Sequence, residues 1–533
     1  MIKKIIILSI LFGQFLSAQD IQWQKKSGGQ HADYLFDAIP TLDYGFLMVG
    51  GSLSDNTGDV KSNSGDFDYF ISKINEKGEL EWTRMLGGDK TDILKSITNT
   101  YDGGYIIAGI SDSGKSAEKS VQNIGQKDIW LLKIDINGGL EWQKSLGGFG
   151  NEDIADVLKT KDGGYLLAAS SASEDCTSKT QPNTNPNLIL KATSNRGNSD
   201  YWLVKLNMNG NLEWQKTFGG KYKDELKQVL ELEDGSIIIG GSSNSPESHD
   251  KKIKNKGLND WWVLKLNKNG ELLWQKSFGD EGDDHLSVMI RAKDGNVLLG
   301  GNYRDKGKNG TSDFVLIKTD VNGNMIWKNT YDNGANDFLT DVLQNEDGSL
   351  ILSGYTEAKK TGFAKKMKLP SLGHRKGTED FMLIKINAKG EEKWRKSVGT
   401  NKKEVLKKCI ETRDGGYVLM GSSMPSKVSG KNNADFLIVK LKDKDKPLHE
   451  KLPLEAVPNP VQRYTQVIIG RDYKQGILSV VDMSGKTLWQ TKIDGKRIVP
   501  VNLQNYPAGV YIININVDDL SNSVKVLKGE SEK

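Results

Sequence analysis

Seven carboxylates recur at one register in this chain, and their spacing allows two chemistries. Counting ten residues forward from Trp23, Trp82, Trp142, Trp214, Trp274, Trp327 and Trp394 reaches Asp33, Asp92, Glu152, Asp224, Asp284, Asp337 and Glu404. Each acid opens a strand. Together they could ring the mouth of a central channel and bind cations, or each could cap backbone N–H groups in the glycine-rich loop before it. The denser cluster Asp280, Glu281, Asp283 and Asp284 offers the oxygen ligands calcium takes. The seven tryptophans themselves could stack on sugars or dock one repeat on the next, and fixed spacing favours docking. Trp261 and Trp262 are adjacent in a strand, so they point to opposite faces, and one is expected to be more exposed.

Basic residues gather elsewhere. The stretch "AKKTGFAKKMKLPSLGHRKG" (358–377) carries Lys359, Lys360, Lys365, Lys366, Lys368, Arg375 and Lys376 with no acid among them. Lys251, Lys252 and Lys254 repeat the theme in "KKIKNKG". Summed lysine charge attracts a polyanion in a salt-sensitive way, and the plainer reading is a solvated loop. The five histidines lack metal-ligand spacing, and neither a Ser/His/Asp signature nor a phosphate loop stands out. No cofactor or metal is therefore expected, although scattered carboxylates could still assemble a glycosidase site in space.

What positions these residues is a repeat visible within the chain itself. Twenty residues after each tryptophan stands Asp43, Asp102, Asp162, Asp234, Asp294, Asp347 or Asp414, and at twenty-seven stands glycine, or Ala169 once. Short apolar runs such as "GYIIAG", "DYWLVKL" and "LEWQKSL" are bounded by DG, NG and KG turns, the pattern of antiparallel hairpins. Naming the strands of one unit a to d, from the acid to the tryptophan strand, gives six complete four-stranded units. A seventh has a, b and c only, and "IQWQKK" at the front is a d strand without a unit. This predicts an all-β, seven-bladed β-propeller over 20–445, closed by its N-terminal strand, with few exposed edges. The glycine-rich a–b turns and d-strand tryptophans resemble kelch-type propellers, and "NGNLEW" resembles quinoprotein-like repeats. Both resemblances imply fold alone.

The variable length falls in one place. From the +27 position to the aspartate that opens strand c, the gaps are 18, 19, 31, 19, 12, 26 and 14 residues. Insertions on one face of a repeat array mark a binding surface. Cys409 occupies a register position that is apolar in the other repeats, so it is read as core, with neither a disulfide nor a metal site expected.

The termini carry addresses. Lys3 and Lys4 precede the apolar run "IIILSILFGQFL" and then "SAQ", a secretory signal over 1–19, and no later run is long enough to span a bilayer. A charged linker is read at 446–456, and 457–533 reads as a small β-sandwich. That tail resembles the C-terminal (type A) sorting domain of type IX secretion substrates in Bacteroidetes. The resemblance rests on Pro458-Asn459-Pro460, "VVDMSGK", the run from Leu503 through Gly509 to Tyr511, and the basic strand "VKVLK". It implies the type IX machinery as a partner, and export to the cell surface or the medium.

The net charge of +4 is small for 533 residues and, with no recognisable module, nucleic acid is not expected as a partner. The resulting expectation is a surface-exposed binding or adhesion module for an anionic polysaccharide or another envelope protein. The alternatives are a glycan-active enzyme with its site at the channel mouth, or a structural subunit of a surface complex.

Overall fold

In this computed structural model the described residues are 19–177, 185–304, 310–357, 379–400, 402–425, 433–443, 454–461, 463–518 and 520–529. The leader expected over 1–19 lies outside them except for Gln19, where the first strand begins.

Each c–d hairpin closes on an Asn or Asp whose side-chain oxygen accepts two backbone N–H groups. Asn75 accepts from Lys77 at 2.9 Å and Glu79 at 3.0 Å, and Asn207, Asn267, Asp320 and Asn387 repeat the arrangement. A positive-φ glycine follows, as at Gly78 (φ 76°). That glycine is required twice over: a Cβ on Gly78 would lie 2.8 Å from the Trp23 ring, and one on Gly270 3.0 Å from Trp214. The d-strand tryptophan of one sheet therefore lies against the c–d turn of the next, which is how the repeat docks.

These hairpins build small antiparallel sheets. The first sheet is Asp33–Pro40, Phe46–Ser52, Asp68–Ile74 and Leu80–Leu86, in that spatial order. Five more start at Asp92, Glu152, Asp224, His285 and Asn336. Another comprises Lys403–Glu411, Tyr417–Met424 and Asp435–Asp443, and its fourth strand is Gln19–Ser27, pairing Gln19 with Asp443 and Ser27 with Phe436. Alternate side chains serve opposite neighbours. Leu47 and Val49 join the cluster shared with the second sheet, while Phe46 and Met48 pack with Ile410, Val418 and Phe436 of the last. Each pair of consecutive sheets shares such an apolar cluster.

Because both faces of a middle strand are covered, Trp261 and Trp262 are each fully buried, in different clusters. This corrects the expectation that one would be exposed. Cys409 is 3% exposed within an apolar cluster. The longest insertion contributes Leu188–Leu190, which pairs in parallel with Ser145–Gly147 on the outer edge of the preceding sheet.

The C-terminal unit stacks a three-stranded sheet (Leu454–Val457, Tyr464–Ile469, Ile498–Asn502) on a four-stranded one (Thr487–Ile493, Gly476–Asp482, Gly509–Val517, Leu520–Lys528). Leu454–Val457 takes the last three residues of the expected linker into this unit, because their backbone pairs with Gln466–Ile469. Among the described residues no helix is long and apolar enough to cross a membrane.

Candidate functional site

Every innermost strand carries a bulge at the same register, between Leu35 and Asp37 in the first sheet and between Leu406 and Lys408 in the last. A bulge sets one extra residue out of the ladder and re-aims its side chain. The seven extra residues are Phe36, Lys95, Ala155, Lys227, Ser287, Thr340 and Lys407. All seven line one cavity of about 850 Å³. That cavity also touches Ala172, Ser199 and Lys223, beside strand ends next to the b–c and d–a loops, so it opens on the face bearing the insertions.

In five of the seven sheets the residue after the bulge ties that sheet to the next, the apolar Val288 and Lys408 being the exceptions. The Asp37 carboxylate accepts from Ile97 N–H at 3.1 Å, Ser96 Oγ from Val157 at 3.1 Å, Asp156 from Val229 at 3.2 Å, Gln228 from Met289 at 2.5 Å and Asp341 from Cys409 at 3.0 Å. At the seam between last and first sheets this position is Lys408, which cannot accept. Its ammonium lies 3.3 Å from Asp341, and that carboxylate with Asp37 beyond it holds the Lys408 pKa above the usual lysine range. Burial raises the Asp37 carboxyl and brings Asp156 up to about 6.

Carboxylates lining the cavity nearer its mouth are engaged too. Asp153 pairs with Lys95, Glu225 pairs with Lys223 at 2.6 Å, and Glu152 accepts from Ser171 at 2.7 Å and Ser173 at 2.6 Å. Two bulge lysines are left over: among the described residues, neither Lys227 nor Lys407 has a hydrogen-bond or carboxylate partner. Burial, then the neighbouring ammoniums of Lys227 and Lys95, brings Lys407 down to about 8. Lys227 is exposed on the cavity wall, and crowding by the surrounding strands, then the Lys95 ammonium, lowers its pKa against the opposing pull of Asp153, Asp156 and Glu225.

The seven recurrent acids act as caps, and of them only Glu152 also lines the cavity. Each is buried and accepts from the N–H four residues earlier: Asp33 from Gly29 at 2.6 Å, Asp92 from Gly88 at 2.7 Å, Glu152 from Gly148 at 3.1 Å and Asp224 from Gly220 at 2.7 Å. Asp284 does so from Asp280 at 2.7 Å, Asp337 from Asn333 at 2.9 Å and Glu404 from Thr400 at 3.3 Å. In six of them burial dominates the titration, pushing Asp33 and Asp337 to about 6 and Asp284 to about 7, and raising Asp92, Asp224 and Glu404 as well. In the cluster considered for calcium, Asp283 is engaged by Asn259 at 2.6 Å and His285 at 3.2 Å, and Asp280 by Gly282 N–H at 2.8 Å. Among the described residues, the acids whose oxygens do converge, within 4.8 Å of one another, are Asp313, Asp332 and Asp337.

The loop lysines divide. Lys359, Lys360, Lys365, Lys366, Lys368, Arg375 and Lys376 lie outside the described residues. Lys252 and Lys254 are exposed. Lys251 is buried, correcting its expected place on the surface: its ammonium donates to Ser243 Oγ at 2.9 Å, to Ser245 O at 2.8 Å and to Asn255. Lys119 is held identically by Ser111, Ser113 and Asn123. The signal for this was present as S-x-S-x5-K-x3-N, at 111–123 and again at 243–255. The channel lysines left no such signal.

In the tail, the Asn459 amide donates to Lys525 O at 2.7 Å and accepts from Leu527 N–H at 2.9 Å, so it holds the last strand. Pro458 O accepts from Thr465 Oγ1 at 2.9 Å, and Pro460 completes the turn into Val461, whose N–H donates to Leu527 O. Gly509 pairs with Lys528 at the head of its strand, and buried Tyr511 donates to Pro507 O at 2.6 Å. Residues 456–528 match the secretion system C-terminal sorting domain. The chain is a type IX secretion substrate. Its sorting domain directs it through the type IX machinery to the cell surface or extracellular space.

The remainder is similar to proteins of low identity. "Regulatory protein FlaEY" of Caulobacter vibrioides is 22% identical over 256 residues, 47% of this chain and 26% of that protein, so the match spans about a quarter of that relative. A Bacteroides caccae protein of unknown function is 15% identical over 66% of this chain and 93% of its own, with a TM-score of 0.35. A fungal alcohol oxidase of the AA5 family, solved with copper, is 11% identical over 96% of this chain and all of its own, with a TM-score of 0.45. The neighbours are propeller-like all-β proteins, and the likeness extends to fold alone.

Proposed function

We propose that the exported chain is a seven-bladed β-propeller, closed by its N-terminal strand, that serves as a binding or adhesion module for anionic glycan. Closure is supported by the pairing of Gln19–Ser27 with Asp435–Asp443 and by the apolar cluster joining last and first sheets. The observation that carries binding is that the variable b–c segments, from 12 to 31 residues long, emerge on the face where the central cavity opens. Binding is favoured over glycan hydrolysis because the carboxylates lining that cavity are engaged by lysines, hydroxyls or backbone N–H groups. A glycosidase needs two carboxyl groups free to transfer protons or attack.

The test measures binding of the exported protein to acidic and neutral polysaccharides and to stripped parent cells across a salt series. A parallel variant carries Gln in place of Lys359, Lys360, Lys365, Lys366, Lys368, Arg375 and Lys376. Salt-sensitive binding to acidic polysaccharide that the variant loses is the expected result. Binding confined to cells and insensitive to salt would redirect the reading to an envelope protein. Absence of binding throughout would overturn it.

A further inference from the structure

We propose that the channel constriction is a binding site for a small oxyanion, a ligand bearing a carboxylate, phosphate or sulfate group, held by Lys227, Lys407 and Lys95. The site does not depend on the b–c loops, and it uses residues that vary from repeat to repeat.

Three observations converge on it. First, bulges at one register turn these three lysines, from the fourth, seventh and second sheets, into a single cavity. Second, the charge around them is spent. Asp37, Asp156 and Asp341 hold backbone N–H groups of neighbouring sheets, and Lys408 is committed to Asp341. Lys95 has Asp153 as its partner, whereas Lys227 and Lys407 have no acceptor among the described residues. Third, burial and, after it, neighbouring ammoniums (Lys227 and Lys95 for Lys407, Lys95 for Lys227) disfavour the charged forms and lower both pKa values. Like charges gathered in a shielded cavity are costly unless a counter-charge enters. A doubly charged oxyanion supplies that charge and accepts several N–H donors at once.

The rest of the wall sets the ligand's shape. Phe36 and Ala155, from the sheets on either side of Lys95, add apolar wall, with Phe36 5.6 Å from the Lys407 ammonium, and Ser287 adds a hydroxyl. About 850 Å³ accommodates a monosaccharide-sized acid and excludes a folded polymer, so the site would take a free ligand or a chain terminus.

The experiment titrates the exported full chain with inorganic phosphate, sulfate and glucuronate by calorimetry, with glucose as the uncharged control. Variants are Lys227→Met, Lys407→Met, the double variant, and Lys389→Gln as a charge-matched change in a remote turn. Saturable binding of at least one oxyanion is expected, weakened at least tenfold in the double variant and unchanged in Lys389→Gln. Which oxyanion binds tightest identifies the ligand class. Thermal unfolding supplies a second reading: without ligand the double variant should melt no lower than the parent, since it loses repulsion, and added oxyanion should raise the melting temperature of the parent alone. Failure of all three oxyanions to bind, or equal binding by parent and double variant, would overturn the site. Either failure leaves the polysaccharide reading standing, because its assay and its variant are separate.

Discussion

Asp33 and Asp43 stand ten residues apart, at opposite ends of one strand pair, and titrate in opposite directions. At the loop end Asp33 is held by a backbone N–H and serine hydroxyls with no cation, so burial, aided by the Asp435 carboxylate, wins and its pKa rises to about 6. At the turn end burial also opposes ionisation of Asp43, but the Lys73 ammonium, 2.9 Å away, together with the Thr41 hydroxyl and the Gly45 N–H, outweighs it and the pKa falls. The contrast recurs from sheet to sheet. Asp102, Asp162 and Asp414 are drawn down by Lys133, Lys205 and Lys440, while Asp92, Asp224 and Asp284 are raised. A repeated acid is thus a cap at one end and half of an ion pair at the other. The partner decides which.

Removing the partner should break the contrast most sharply. Lys73→Met leaves the partly buried Asp43 beside Glu81 without a cation, and should cost about 3 kcal/mol in denaturant unfolding. An Asp43→Asn change in the same background should recover part of that loss. If Lys73→Met unfolds like the parent, the turn-end pairs are ornamental.

The pH dependence should separate the two ends without mutation. Loop-end carboxyls with raised pKa values bind protons in the folded chain before the unfolded one, so stability should rise as pH falls from about 7.5 to about 5. Turn-end carboxyls with depressed values contribute stability that is present above the unfolded value near 3.9 and lost as pH falls through the lower folded values. The melting temperature should therefore peak in mild acid and drop steeply below pH 4. A peak at alkaline pH would contradict the loop-end assignment.

Smaller effects sharpen the same comparison. Asp284→Asn keeps an acceptor for the Asp280 N–H while removing a charge that burial disfavours, so at pH 8 it should be neutral or gain about 1 kcal/mol. The same substitution at Asp43 should destabilise. Lys252→Gln with Lys254→Gln, both on the exposed loop, should change unfolding by less than about 0.5 kcal/mol.

Much of the frame is legible from spacing. The fixed distances among tryptophan, acid and turn aspartate define strands and hairpins, and the stranded "IQWQKK" announces its pairing with the last sheet. What escapes is whatever the repeat does not conserve. The bulge position carries Phe36, Lys95, Ala155, Lys227, Ser287, Thr340 and Lys407, which looks like noise on self-alignment. These are the side chains that line the cavity. Lys251 misleads for a different reason. It lies in a basic run, and only the serine hydroxyl, backbone carbonyl and Asn255 amide around it turn an exposed charge into a tie within the loop. Trp261 and Trp262 obey strand alternation, but alternation cannot say that a neighbouring sheet covers each face.

The seam has a mechanical consequence. Asp443 ends the last described strand before the sorting tail, and that strand is flanked by Tyr417–Met424 on one side and Gln19–Ser27 on the other. Asp443 is also gripped by Lys385 at 3.2 Å and Tyr417 at 2.8 Å. Any pull transmitted through the tail, during transport or from a tether on a cell in flow, loads an inner strand clamped along both edges. Without the N-terminal strand the same pull would peel an outer strand one hydrogen bond at a time.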